Sequence, residues 1–301
     1  ADAQLPLASL TKLLTVYAAL AELSPMTPVT IPAEATRLDG PHAFSVGQIF
    51  TLSDLARLTL VASLNDGAAA IAHATALREN RSPHEVLAGA AAALELSQTY
   101  AVNGSGLDET TAVSGGYGSA RDLARLAGAL VEKAPHIAAA TAQSFAQAVS
   151  AGGTSFKVKN TDPMVGTIPR LLLSKTGYTD LAGGNLVLVF DAGINHPIAV
   201  VVLGSSVKAR FTDGTTLVAA TLAHFAGVHV LQAGFKTFDR GGRITFLHIF
   251  IAQRFQQYRV RLNRLYPTTH QLKQSHWRKE QSKRNTKPSK YRGDQKGSQI
   301  T

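Results

Sequence analysis

Pro6-Leu7-Ala8-Ser9-Leu10-Thr11-Lys12-Leu13 sets a serine and a lysine three residues apart at the head of an apolar run. The run continues through Leu14, Val16, Tyr17 and Leu20, whose spacing predicts a helix from Ser9 to about Leu23. Serine is a favoured cap at such an N-terminus, where the helix dipole also favours developing negative charge. Residues three apart share a helix face, so the Ser9 and Lys12 side chains can meet. A serine hydroxyl is a weak nucleophile until a neighbouring base takes its proton, and a neutral lysine can do so. These eight residues predict a serine acyl-transfer centre whose base is lysine.

A second Ser-x-x-Lys, Ser205 to Lys208, shows that the first motif alone proves little. Two further motifs, Ser63-Leu64-Asn65 and Lys175-Thr176-Gly177, occur once each and follow in that order. A capping serine, a turn asparagine and a strand-end glycine would explain each motif separately. They do not explain the ordered set, which is that of penicillin-binding proteins and class A β-lactamases.

The resemblance extends beyond three motifs. Pro6 to Leu13 is similar to the active-site segment of the D-alanyl-D-alanine carboxypeptidases of the S11 peptidase family. Leu60-Val61-Ala62-Ser63-Leu64-Asn65-Asp66-Gly67-Ala68-Ala69 resembles that family's second motif. Asn103-Gly104-Ser105-Gly106-Leu107-Asp108, with Ser119-Ala120-Arg121-Asp122-Leu123-Ala124, resembles its connecting segment. Lys175-Thr176-Gly177-Tyr178-Thr179-Asp180 and Val201-Val202-Leu203-Gly204-Ser205-Ser206 are similar to its third-motif strand and a later strand. The similarity covers about residues 3–235.

It implies a β-lactamase/transpeptidase-like α/β (α+β) fold, an antiparallel sheet flanked by helices with a helical lobe beside it. It implies a D-Ala-D-Ala carboxypeptidase in which Ser9 attacks the carbonyl between the two terminal D-alanines of a peptidoglycan pentapeptide. β-Lactams would acylate the same serine, and no cofactor is called for. On this resemblance Lys12 is the base, Ser63 relays a proton to the leaving amine, and Asn65 orients Lys12 or the substrate amide. Lys175 and Thr176 lie at the end of a strand that the substrate joins by backbone pairing, and Gly177 permits close backbone approach. Backbone N–H groups of Ser9 and Tyr178 would form the oxyanion hole. Arg210 resembles the family's later arginine that holds the terminal carboxylate, a task its bidentate geometry suits. Burial and the charge of Lys175 are both expected to depress the Lys12 pKa.

Two other functions stand beside this one. A β-lactamase of the same fold is disfavoured because Ser63-Leu64-Asn65 lacks the middle aspartate. No Glu-x-x-x-Asn follows it either, and class A enzymes use that glutamate to activate the deacylating water. A catalytically impaired protein that only binds wall peptide is the other alternative.

Composition narrows the classes further. The 301 residues are 45% apolar, enough for one large core or a core plus a smaller lobe. There is no cysteine, which excludes disulfides, a thiolate nucleophile and cysteine-bearing zinc sites. No run approaches the ~18 apolar residues of a membrane-spanning helix. The ten histidines lack metal-ligand spacing; His84-Glu85 is followed by Ala88 where a zincin helix needs its second histidine, so no metal is expected. Gly104-Ser105-Gly106 lacks the outer frame of a nucleophile elbow, and Gly115-Gly116-Tyr117-Gly118 lacks the lysine of a phosphate loop. No signal peptide is read from Ala1 onward. The family resemblance nevertheless implies export to the periplasm or cell envelope. It also implies one or two strands before the serine helix; only eight residues precede Ser9, so N-terminal strands are expected to be missing from the sheet.

Charge divides the chain into two predicted parts, an enzyme domain over 1–235 and a basic tail over 236–301. The tail carries 16 Lys and Arg against 3 Asp and Glu, so the net +10 of the chain resides there and the first 235 residues stand at −3. No specific nucleic-acid partner is expected for such a domain. Helices are predicted over Thr51–Ser63, Asp66–Arg78, Ser82–Leu96, Ser119–Lys133 and Phe211–Phe225, and strands over Thr154–Lys159, Arg170–Ser174, Asn185–Phe190 and Ile198–Leu203. In the tail, Leu247, Ile251, Phe255, Tyr258, Leu262 and Leu265 recur at helical spacing over 246–266, with Arg254, Arg261 and Arg264 among them. A basic amphipathic helix making peripheral membrane contact is one reading, and sequence without a selected role is the other. From Thr268 onward disorder is expected.

Overall fold

The apolar runs late in the sequence form the sheet around which the other elements are arranged. The computed structural model describes residues 1–193 and 195–226, together with the backbone of three short strands between 237 and 250. In chain order the elements are β1 (Leu5–Pro6), α1 (Thr11–Glu22), β2 (Pro28–Thr30), β3 (Ile49–Thr51), α2 (Leu52–Ala62), α3 (Asn65–Glu79) and α4 (Pro83–Ala93). They continue with β4 (Tyr100–Ala101), β5 (Gly116–Gly118), α5 (Ala120–Lys133), α6 (Pro135–Thr141), β6 (Phe145–Val149) and β7 (Ser155–Lys159). The last are β8 (Leu171–Thr179), β9 (Gly183–Asp191), β10 (Pro197–Ser205), α7 (Ala209–Phe225), β11 (Thr237–Phe238), β12 (Ile244–Thr245) and β13 (Leu247–Phe250).

The main sheet is antiparallel, in the order β13-β10-β9-β8. β9 and β10 read as nearly unbroken apolar runs because both their faces are covered. Leu186, Leu188 and Phe190 of β9 and Ile198, Val200 and Val202 of β10 pack with Leu217 and Val218 of α7. The alternate residues Val187, Val189, Ala199, Val201 and Leu203 join the larger core built on α1, α2, α3 and α5. That is the period-2 division of a strand between two layers. A helical lobe of α2, α3 and α4 stands beside the sheet, as expected. Phe44, Phe50 and Phe156 pack against one another at its edge with centroids 4.9–5.5 Å apart. Among the described residues, no helix is long and apolar enough to cross a membrane.

Local capping explains several element starts. Thr51 Oγ1 accepts from Asp54 N at the head of α2, Ser82 and Glu85 make a reciprocal capping box for α4, and Ser119 caps α5. Three expectations change. The strand predicted to stop at Ser174 runs on to Thr179, which puts Lys175-Thr176-Gly177 inside β8 rather than at its end. Helix α6 and strand β6 were not expected. The first spans only seven residues, and in Phe145-Ala146-Gln147-Ala148-Val149 small alanines face inward, which hides the strand pattern. Finally, Leu247–Phe250 is a strand paired with β10, not the start of a helix, because the outer edge of β10 offers it a ladder of backbone partners. Residues 251–266 of that predicted helix, and the tail beyond, lie outside the described residues.

Candidate active site

The segment leading to Ser9 is held in an unusual turn. Ala8–Leu10 forms one 3-10 turn before α1, and Ala8 has φ +49°, a left-handed conformation costing an L-residue roughly 1–2 kcal/mol. Leu10, not Ser9, occupies the N-cap position of α1, and no side chain caps it. The expectation that Ser9 caps the helix is therefore corrected: its hydroxyl is engaged by Lys12 Nζ at 2.8 Å.

Lys12 is wholly buried, and its Nζ has three oxygen neighbours: Ser9 Oγ at 2.8 Å, Asn65 Oδ1 at 2.7 Å and the Ser105 carbonyl at 2.7 Å. Burial pushes its pKa well below the usual lysine value, and the Lys175 charge pushes the same way, while Asp66 acts in the opposite sense. Asn65 is fixed in turn, its Nδ2 donating to the Asp39 carbonyl at 2.6 Å and its N–H to the Pro41 carbonyl at 2.7 Å. The Asp66 carboxylate accepts the N–H groups of Ala43, Phe44 and Gly67, which pins the Asp39–Phe44 segment to the head of α3. Asn103 Oδ1 accepts from Ser105 N, Ser105 Oγ and Gly106 N, which shapes the loop presenting the Ser105 carbonyl.

A second group forms around Lys175. Ser63 ends α2 with φ +59°, and Lys175 Nζ donates to its hydroxyl at 2.8 Å and to the Thr176 carbonyl at 2.7 Å. Burial, reinforced by the Arg210 charge, lowers the Lys175 pKa to about 7. Among the described residues β8 is an edge strand of the main sheet, and neighbouring side chains meet part of that edge. Thr141 Oγ1 accepts from Ser174 N, Asp162 accepts from the Ser174 hydroxyl at 2.6 Å, and the Thr161 and Thr176 hydroxyls lie 2.6 Å apart.

Gly177 faces the serine turn. A Cβ there would stand 2.9 Å from the Leu7 carbonyl oxygen and 3.3 Å from Leu10 N, so glycine lets β8 press against the backbone that carries Ser9. Arg210, on α7, donates through Nη1 to the Gly177 carbonyl at 2.5 Å; its Nε is buried without a hydrogen-bond partner. The Tyr178 side chain is half exposed and donates to Asp180, leaving only its backbone at the β8 edge. Asp108 accepts from the Thr179 hydroxyl at 3.0 Å, tying the loop of Ser105 to the end of β8.

The structure thus gathers Ser9, Lys12 and Asn65 in one hydrogen-bonded group and Ser63, Lys175 and Thr176 in another. The Lys175 charge acts on Lys12 and so couples them, and Arg210 binds the Gly177 carbonyl. The sequence reading missed the Ser105 carbonyl and the Asp66, Asn103 and Asp162 side chains. Asn103, Ser105 and Asp66 lay inside motifs already noticed, so their position was the available signal; Asp162 had none.

The family model described as Peptidase_S11, D-alanyl-D-alanine carboxypeptidase, matches residues 1–207. A D-alanyl-D-alanine carboxypeptidase from Mycobacterium tuberculosis is similar in structure, with 23% identity, a TM-score of 0.61, and coverage of 82% of this chain and 87% of that one. Penicillin-binding protein D2 from Listeria monocytogenes, solved with cefotaxime bound, gives 25% identity and a TM-score of 0.59 over 73% of this chain and 88% of that one. No curated protein sequence matches the chain. With the family model covering more than half of its length and the three motifs meeting at one buried cluster, the chain belongs to the S11 family of D-alanyl-D-alanine carboxypeptidases, serine-type hydrolases.

Proposed function

We propose that this enzyme removes the terminal D-alanine from peptidoglycan stem peptides through an acyl-enzyme on Ser9. The observation that carries the reading is the trio of oxygens around Lys12 Nζ. A neutral amine has two hydrogens and one lone pair. With the hydrogens on Asn65 Oδ1 and the Ser105 carbonyl, the lone pair is left facing the Ser9 hydroxyl. The depressed Lys12 pKa supports that charge state at neutral pH.

Ser9 Oγ then attacks the penultimate D-alanine carbonyl as Lys12 takes its proton. The oxyanion forms against the backbone N–H groups of Ser9 and Tyr178. Collapse expels the D-alanine amine, which takes the Ser63 hydroxyl proton while Lys12 passes to Ser63 the proton it gained from Ser9 and becomes neutral again; Lys175 holds the Ser63 hydroxyl. Water, deprotonated by Lys12, attacks the ester and releases the shortened peptide with Ser9 reprotonated. The substrate backbone runs along the edge of β8, and the Arg210 guanidinium, held beside the Gly177 carbonyl, binds its terminal carboxylate. Such a substrate lies outside the cytoplasm, where we expect the enzyme to act. β-Lactams mimic the scissile amide; the Listeria neighbour has been solved with ampicillin and with cefotaxime bound.

The test is labelling with a fluorescent penicillin. The proposal expects a covalent adduct that persists for minutes in the wild type and is absent in Ser9→Ala. Rapid turnover of the drug would indicate a β-lactamase instead. Wild-type labelling of Ser9→Ala would reject Ser9 as the nucleophile.

A further inference from the structure

Asn185 sits near the start of β9 and is fully buried, directly before the apolar run Leu186-Val187-Leu188-Val189. Its carboxamide is engaged at both ends. Nδ2 donates to the Pro6 carbonyl at 3.0 Å and to the Leu7 carbonyl at 3.0 Å. Oδ1 accepts the Gly204 N–H at 2.8 Å. Gly204 lies where the β9–β10 register shifts between Val202 and Ser205, and its φ is +72°. The bulge thus turns a backbone donor toward the asparagine instead of the ladder. The two carbonyls it holds are those immediately before Ala8, the residue in the left-handed conformation, and Ser9 follows. From the other side, Leu7 N donates to the Gly116 carbonyl at 2.8 Å.

We infer that Asn185 is a positioning residue for the serine: by clamping the Pro6 and Leu7 carbonyls it fixes the strained turn that aims the Ser9 hydroxyl and backbone N–H. The inference rests on the acyl-enzyme reading above. Three features make the amide specific. Its two hydrogens match two acceptors, so a carboxylate would set unpaired lone pairs against two carbonyl oxygens. Its oxygen is already taken by Gly204, so the group cannot flip without losing all three bonds. Gly177 presses on the Leu7 carbonyl from β8, so a released carbonyl has a strand edge to collide with rather than free space.

A merely structural asparagine would lower stability and leave acylation intact in the molecules that remain folded. A positioning asparagine affects the chemical step. The experiment measures penicillin acylation of the full chain by stopped-flow fluorescence, separating the dissociation constant of the first complex from the acylation rate constant. Asn185→Leu and Asn185→Asp should lose at least 30-fold in that rate constant, with the dissociation constant changed less than about threefold. Asn185→Ser, smaller and still able to donate one hydrogen bond, should lie between them and the wild type; it keeps the test open if the other two fail to fold. Val218→Ala, on the buried face of α7 against β9 and β10, should lower the melting temperature and leave the acylation rate constant unchanged. If Asn185→Ser and any folded partner variant acylate at the wild-type rate, or lose rate no more than Val218→Ala, the positioning role is wrong. If the wild type forms no adduct at all, it is the acyl-enzyme reading that fails instead.

Discussion

Lys175 and Ser63 are 112 positions apart in the sequence, and the lysine Nζ donates to the serine hydroxyl at 2.8 Å. The same lysine lowers the pKa of Lys12, so one buried cluster contains a lysine suited to be neutral beside one that titrates near pH 7. Their different charge states are what an acid–base relay needs, and they carry consequences that can be measured.

The pH profile of acylation should bend on its alkaline side near pH 7. Burial and the Lys175 charge depress the Lys12 pKa, whereas Lys175, with a pKa of about 7, loses its charge as pH rises through that value. Acylation that depends on a cationic Lys175 therefore declines above it. In Lys175→Arg, whose guanidinium stays charged, the maximum rate should be lower and the alkaline limb absent. A limb at the same pH in both proteins would assign it to another group.

Stability should respond to the same lysine. Its folded pKa lies below the usual 10.5, so between pH 7 and 10.5 the unfolded chain binds more protons and stability rises with pH. The full depression corresponds to on the order of 4–5 kcal/mol, and below pH 7 the penalty is complete. Urea unfolding at pH 7 and pH 10 should show the wild type gaining a few kcal/mol relative to Lys175→Met. Equal gains for both proteins would contradict the assignment.

Gly177→Ala should cost about 1–3 kcal/mol of stability and reduce acylation at least tenfold. Its methyl would sit 2.9 Å from the Leu7 carbonyl oxygen, a backbone atom that cannot rotate away. Thermal unfolding together with penicillin labelling would measure both effects. Unchanged labelling would mean that the serine turn tolerates displacement by β8.

Arg210→Ala should reduce kcat/KM on a free-acid peptide by about 1.5–3 kcal/mol, the value of a lost charged hydrogen bond. Its guanidinium, held against the Gly177 carbonyl, is the group concerned. A C-terminally amidated peptide should be equally poor with either protein. Normal cleavage of the free acid by Arg210→Ala would place the carboxylate contact elsewhere.

The parts of the site that could be read in the sequence were those with fixed local spacing. Ser9 and Lys12 are one helical turn apart, Ser63 and Asn65 flank one bend, and Lys175 to Gly177 are consecutive. Their side chains carry chemistry that no ordinary core position requires. The groups holding them are less visible. Ser105 contributes only a carbonyl, which any residue possesses, so its contact with Lys12 has no side-chain signature. Asp162 and Asn185 resemble ordinary turn and strand-start residues until the fold brings Ser174 and Leu7 to them. The helices predicted to start at Thr51, Ser82 and Ser119 begin within a residue of those positions. The sheet was underestimated because Lys175, Thr176 and Gly177 interrupt the apolar pattern of a strand that continues through them.

The bonds that complete the serine turn are among the longest-range in the molecule, since Asn185 reaches back 178 positions to Leu7. Contacts of that sequence separation carry the largest loop-closure cost and raise the contact order that slows folding. Native-like helices α1 to α4 can form while Ser9 still lacks its finished backbone, so a partly folded chain holds the motif without the reactivity. Penicillin acylation then becomes a clock for refolding: its recovery should lag behind the return of helical circular dichroism and keep pace with burial of the β8–β10 sheet.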